Sequence, residues 1–324
     1  MKLCRFDDDR LGVVIGDVVH DVSDIQAQIR AAARYDMKGD AVIAALPTWR
    51  KRIEDAAAKA PATLLADVKL ISPVARPSKT MGAPANYKKH IEEMRSRTDI
   101  KRDDFSSNRH FALSSWWSMI FSRNPVSTFR DHAPAKAAPV RAPRGIGDAG
   151  IFLKANSSIV GPSEGIPLRF LDRINEHEIE LVVIIGKPGS DIPRERAKEH
   201  IAGYTLGIDV TCRGGEDRSF RKSIDGYSVV GPWLVTADEI PDPGDVKITL
   251  TNNGELRQIA HTGDLIYDVG RLIELASSFY TLNPGDILYT GTPQGVAAVK
   301  PGDVLRGKCD LIGELKIEVR AHRA

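Results

Sequence analysis

Glu178-Ile179-Glu180-Leu181-Val182-Val183-Ile184-Ile185-Gly186 is an apolar run led in by two acids and closed by a glycine. It reads as a buried β-strand. Side chains alternate across a strand, so Glu178 and Glu180 share one face. Two carboxylates side by side next to a buried strand repel each other and resist desolvation. A cation between them removes both difficulties. A third acid closes a similar stretch, Leu206-Gly207-Ile208-Asp209-Val210-Thr211. Three carboxylates and no thiolate set suit a hard divalent ion: Mg²⁺ first, with Mn²⁺ or Ca²⁺ as alternatives. Two glutamates on the wet face of an antiparallel sheet fit the same pattern, and the pattern alone leaves both open.

Around this stretch the bulk properties narrow the class. A chain of 324 residues suggests roughly two domains. Apolar and charged fractions of 42% and 27% are those of an ordinary globular protein. A net charge of +2 gives no reason to expect a nucleic-acid partner. Cys4, Cys212 and Cys309 lie far apart without a CxxC pair, which fits a reducing compartment and argues against a zinc–thiolate site. No apolar signal region follows Met1 and no run of about 18 apolar residues is present, so a cytoplasmic chain without a membrane span is expected. Asn156-Ser157-Ser158 matches a glycosylation acceptor and, without a secretion signal, is read as chance.

Residues 1–72 read as a small N-terminal module. Leu11 to Val22 forms two short strands around Gly16-Asp17, followed by helical periodicity over Ile25–Arg34 and Trp49–Ala60. His20 in that hairpin reads as a surface residue. Pro73 to Pro77 is a hinge, since it cannot continue a helix. In Asn86-Tyr87-Lys88-Lys89-His90-Ile91-Glu92-Glu93, helical spacing makes His90 and Glu93 neighbours. A carboxylate beside an imidazole makes a usable general base, although such pairs are more often solvated first turns.

Residues 95–150 are an insertion with ten basic and five acidic residues, net +5, around an aromatic centre that includes Trp116 and Trp117. Its Pro/Ala/Arg-rich end, Ala133 to Arg144, reads as extended. A lid and a subunit contact are the favoured readings, with a basic arm for an anionic partner as the alternative. From Ile151 the pattern is mostly β, with a short helix at Arg194–Ile201, a charged loop over Asp209–Val229 and a helix at Val269–Tyr280. Gly291-Thr292-Pro293-Gln294-Gly295 is glycine-rich but lacks the Lys-Ser/Thr of a P-loop and precedes no helix, so nucleotide binding is rejected.

Taken together, these motifs resemble the fumarylacetoacetate hydrolase family. The carriers are Asn86-Tyr87-x-x-His90-x-x-Glu93, Phe152-x-Lys154, Glu178-x-Glu180-Leu181 and Asp209-Val210-Thr211. Downstream come Lys222-x-x-Asp225-Gly226, Gly231-Pro232, Asn253-Gly254-Glu255, Gln258 and Thr290-Gly291-Thr292-Pro293. The match runs from about Pro73 to Arg320, interrupted by the insertion. It implies a mainly β, α+β fold: a mixed β roll over residues 73–324 preceded by a small β-rich domain over residues 1–72, commonly as a homodimer. It also implies metal binding by Glu178, Glu180 and Asp209, an acid/base pair of His90 and Glu93, and a substrate-contacting Lys222. Tyr87, Arg213, Glu216 and Thr292 fall on the expected pocket lining. Two departures stand out. Arg213 is followed by glycine where an acid is usual, and Glu216 takes the place of a glutamine, where its charge is expected to repel an anionic substrate.

The implied activity is metal-dependent hydrolysis of a C–C bond in a 1,3-diketone or 2-oxo acid. Decarboxylation or isomerisation of a 2-oxo or 2-hydroxydienoic acid is the near alternative. A non-catalytic relative or anion-binding assembly protein is the alternative of another class.

Overall fold

The computed structural model describes residues 1–34, 38–97 and 146–322. The insertion falls largely outside them, so the lid and subunit-contact readings concern residues that are not described. Only its margins are seen. The helix Lys88–Ser96 and Arg97 lie on one side and the short helix Ile146–Ala149 on the other.

The architecture is mainly β with a few helices. Its main sheet runs in the order Ala62–Leu64, Val18–Asp21, Arg10–Ile15, Lys2–Phe6, Ser228–Thr236, Ile201–Asp209, Ile179–Ile185, Ile287–Tyr289, Thr80–Gly82, Phe152–Lys154. The N-terminal strands therefore continue the central sheet, with Lys2 and Leu3 paired to Val235 and Leu234. A five-stranded sheet packs against it, in the order Glu255–His261, Lys247–Asn252, Val304–Cys309, Gly313–Ala321, Ile166–Leu168. Among the described residues no helix is long and apolar enough to cross a membrane.

Every residue of Ile179–Ile185 is buried. Ile179, Leu181, Val183 and Ile185 face the larger core with Ile248, Leu250, Leu305 and Ile317. Val182 and Ile184 face the second core, with Val42, Ile43, Leu46 and Ile53 of the helix Ala41–Ala57. Each such side chain contributes about 1.5–3 kcal/mol by leaving water. Coverage on both faces explains the unbroken apolar run and removes the wet-face reading of Glu178 and Glu180, which are themselves buried.

Register then builds the acid cluster. Ile179 pairs with Ile208, so Glu178 stands across from Asp209, whose N–H donates to the Glu178 carbonyl at 2.9 Å. Residues directly opposite in an antiparallel pair share a face. Glu180 pairs with Gly207, where a Cβ would meet Val182 at 2.5 Å and the Tyr289 ring at 2.6 Å. Glycine at this position lets the strands close beside Glu180.

Some sequence expectations shift. The Trp49–Ala60 helix begins at Ala41, capped by Asp40 and carrying Pro47 inside it, which hid its start. Arg194–His200 is a 3₁₀ segment. The charged loop Asp209–Val229 contains a short strand, Thr211–Cys212, and a helix, Arg218–Lys222, whose cap is Asp217. A five-residue helix is too short to show periodicity.

Candidate active site

Carboxylate oxygens of Glu178, Glu180 and Asp209 lie within 4.8 Å of one another in the core. Lys222 Nζ donates to Glu178 Oε2 at 2.7 Å and to Asp209 Oδ2 at 2.6 Å. Lys154 Nζ donates to the other oxygen of Asp209 and, at 2.9 Å, to the Tyr227 carbonyl. Thr211 Oγ1 donates to Glu178 at 2.9 Å. Glu180 receives only the Gly291 N–H, at 2.6 Å, among the described residues.

The electrostatics follow from this uneven sharing. Burial works to raise the Glu178 pKa, but Lys222 and Arg213 outweigh it and hold that carboxyl well below its usual range. Glu180 is pushed well above its usual range by burial, then by Asp209 and Glu178. Burial lowers the Lys154 pKa against the pull of Asp209. Three carboxylates face two ammoniums here, and the uncompensated one is Glu180. That is the donor set and charge imbalance a divalent cation relieves, so these residues fit a hard dication.

The helix Lys88–Ser96 brings a second pair of groups near the cluster, since His90 also helps to hold the Glu178 pKa down. His90 Nδ1 is 3.4 Å from Glu93 Oε2. Both Glu93 oxygens accept from the Gly295 N–H, at 2.9 and 3.1 Å. Burial opposes ionisation of Glu93, yet the His90 contact and the Gly295 amide hold its pKa below the ordinary value. Gly295 has φ +91°, and a Cβ there would strike the Arg257 carbonyl at 2.1 Å. The glycine-rich loop thus serves carboxylates of the chain itself: Gly291 holds Glu180 and Gly295 holds Glu93. The start of the helix is anchored to the same loop, because buried Asn86 donates to the Thr290 and Tyr267 carbonyls at 2.8 and 2.9 Å.

The remaining expected pocket residues have distinct placements. Tyr87 is buried, and burial and then Glu180 raise its phenol pKa. Arg213 is tied to buried Glu176 at 2.6 Å and reaches Glu178 at 3.4 Å. Thr292 spends its hydroxyl on the Ile179 carbonyl at 2.9 Å and accepts from Gln258 at 2.8 Å, so it joins loop to strand. Glu216 does not join the acid cluster. It is nearly half exposed and forks onto Arg173 at 3.0 and 2.7 Å, so its charge is paired within the chain. Sequence reasoning gave no role to Lys154, Glu176 or Arg218. Lys154 sits in a quoted motif; the other two stand in runs of charge that look solvated.

With this geometry in view, the family comparison is decisive: residues 79–320 match the model of the fumarylacetoacetate (FAA) hydrolase C-terminal domain. The chain belongs to the fumarylacetoacetate hydrolase family. A maleylpyruvate hydrolase of Aquipseudomonas alcaligenes is 44% identical over 322 residues, covering 99% of this chain and 100% of that one. A crystal structure of maleylpyruvate hydrolase from Sphingobium sp. SYK-6, in complex with manganese(II) and pyruvate, superposes with a TM-score of 0.75 at 33% identity, covering 100% of both chains. A mitochondrial oxaloacetate tautomerase of Xenopus laevis is 34% identical over 252 residues, covering 72% of this chain and 77% of that one.

Proposed function

We propose that the chain is a metal-dependent hydrolase that cleaves the C–C bond of an acylpyruvate, a maleylpyruvate-like 2-oxo acid of aromatic catabolism, to pyruvate and a carboxylic acid. The observation that carries this reading is the loop Thr290–Gly295, whose amides hold Glu180 of the acid cluster and Glu93 of the His90 pair. A site for a dication and a general base are thereby built against one another. The full-length likeness to a maleylpyruvate hydrolase supports the same chemistry.

Glu178, Glu180 and Asp209 would hold the ion. Mg²⁺ is our first assignment, with Mn²⁺ the ion of the related crystal structure and Ca²⁺ a further candidate. When bound, the ion supplies Lewis-acid polarisation of the substrate's carbonyl oxygens. Glu93 orients His90, which takes a proton from the water that attacks the acyl carbonyl. Lys222 adds positive charge where the oxyanion grows. The bond from that carbonyl carbon to the methylene then breaks, its electron pair passes into the enolate of pyruvate, and His90 returns the proton to the methylene carbon. Tyr87 and Arg213 line the pocket and shape it. Residues 73–324 are assigned as the catalytic unit, residues 1–72 extend its sheet and cover Val182 and Ile184, and a cytoplasmic homodimer is the assembly we assign.

The tautomerase among the relatives favours enol–keto isomerisation as a second reading. Product analysis separates the two. Incubated with maleylpyruvate and Mn²⁺, the protein is expected to release equal amounts of pyruvate and maleate. A shift of the keto–enol ratio with no pyruvate released would overturn hydrolysis.

A further inference from the structure

The helix Arg218–Lys222 presents three cationic side chains, Arg218, Arg221 and Lys222, and Arg213, upstream of it, adds a fourth beside the acid cluster. Three of these are committed. Lys222 is shared by Glu178 and Asp209. Arg213 is held by Glu176 and Glu178. Arg221 donates to the backbone carbonyls of Glu216 and Cys212 at 2.8 and 2.9 Å. Arg218 differs: among the described residues its guanidinium makes no hydrogen bond and no ion pair.

Its position is nevertheless defined. Arg218 and Lys222 are four residues apart and share a helix face. Both cations lie over the same buried ring, Phe152, at 5.8 and 5.4 Å from its centroid. Phe220, between them in sequence, points outward and is exposed. Burial and then repulsion from Arg221 lower the Arg218 pKa, while Glu178, the adjacent Asp217 and Asp209 pull it the other way. A partly desolvated guanidinium with no anion of its own is costly unless something supplies one. Its flat five-donor fork matches a carboxylate.

We propose that Arg218 reads the carboxylate on the acyl half of the substrate and so sets a preference for acylpyruvates that carry one. The inference rests on the acylpyruvate reading above. Cleavage puts the two carbonyls beside the acid cluster and Lys222. Arg218 lies one helical turn from Lys222, about 5.4 Å along the axis, within reach of the far end of an acyl chain whose carbonyl sits at Lys222. Arg213, the guanidinium that reaches Glu178, is already neutralised by carboxylates of the chain.

The test compares Arg218→Met and Arg218→Lys with the parent protein, Mn²⁺ present, on maleylpyruvate and on acetylpyruvate, whose acyl end carries no charge. Both substrates keep the pyruvoyl carboxylate. In Arg218→Met the preference for maleylpyruvate, as a ratio of kcat/KM values, is expected to fall by about tenfold or more, chiefly through KM, with Arg218→Lys in between. The inhibition constant of maleate against acetylpyruvate cleavage is expected to rise by about the same factor. An unchanged ratio overturns the assignment. An equal loss on both substrates also overturns it, because Arg218 then serves the pyruvoyl end or the fold. If the parent protein cleaves neither substrate, the acylpyruvate reading itself has failed, an outcome distinct from both.

Discussion

The strand pair Ile179–Ile185 and Ile201–Asp209 and the helix Lys88–Ser96 bring the two halves of the site together by different means. The strand pair fixes its carboxylates by backbone register in a core closed on both faces, so the acid cluster exists wherever the sheet does. The helix is tethered near its ends, by Asn86 at its start, by Glu93 on the Gly295 amide, and by Arg97 on Glu176 at 2.6 Å. A site for an ion needs rigid, preset ligands. A proton-transferring pair gains from a mount that can tighten around substrate, and the 3.4 Å His90–Glu93 contact has room to do so. Metal affinity and turnover should therefore come apart under mutation.

His90→Ala is the sharpest way to break it. Turnover is expected to fall about 10²–10⁴-fold while the affinity for Mn²⁺, by titration calorimetry, changes little. If metal affinity fell with turnover, the two halves would be one coupled unit. Glu176→Ala attacks the joint between them. It leaves the Arg97 and Arg213 guanidiniums without their shared buried carboxylate, so urea unfolding is expected to show a loss of about 3–5 kcal/mol. A loss under about 1 kcal/mol would mean that the arginines find water or other partners. Thr292→Val touches only the loop-to-strand link. A cost of about 1–3 kcal/mol in stability is expected, from stranding the Ile179 carbonyl and one N–H of the Gln258 amide, whose other contact is the Pro293 carbonyl, with Mn²⁺ affinity retained.

The same division separates what could be read in the chain from what could not. Glu178, Glu180 and Asp209 were legible because strand alternation and the apolar runs around them are local patterns. The His90–Glu93 pair was legible as helical spacing, but its role came only through the family resemblance. What stayed hidden depends on pairs far apart in sequence. Whether both faces of the central strand are covered depends on a helix more than a hundred residues upstream, Ala41–Ala57. Lys154 reaches Asp209 across 55 positions. The pairing of Glu216 was hidden because its partner, Arg173, lies 43 positions away, and a single acid in a charged loop carries no sign of it. Arg218 was passed over for the converse reason, since a solvated charge and an unpaired inward one look alike in a sequence.

Chelation tests the central claim most directly. The protein is stripped with a chelator and Mn²⁺ is titrated back while pyruvate release from maleylpyruvate is followed, with Asp209→Asn run in parallel. Activity is expected to vanish on stripping and to return in step with a single ion bound per chain, while the variant neither binds tightly nor recovers. Full activity in the stripped protein, or metal affinity in Asp209→Asn equal to that of the parent, would contradict it.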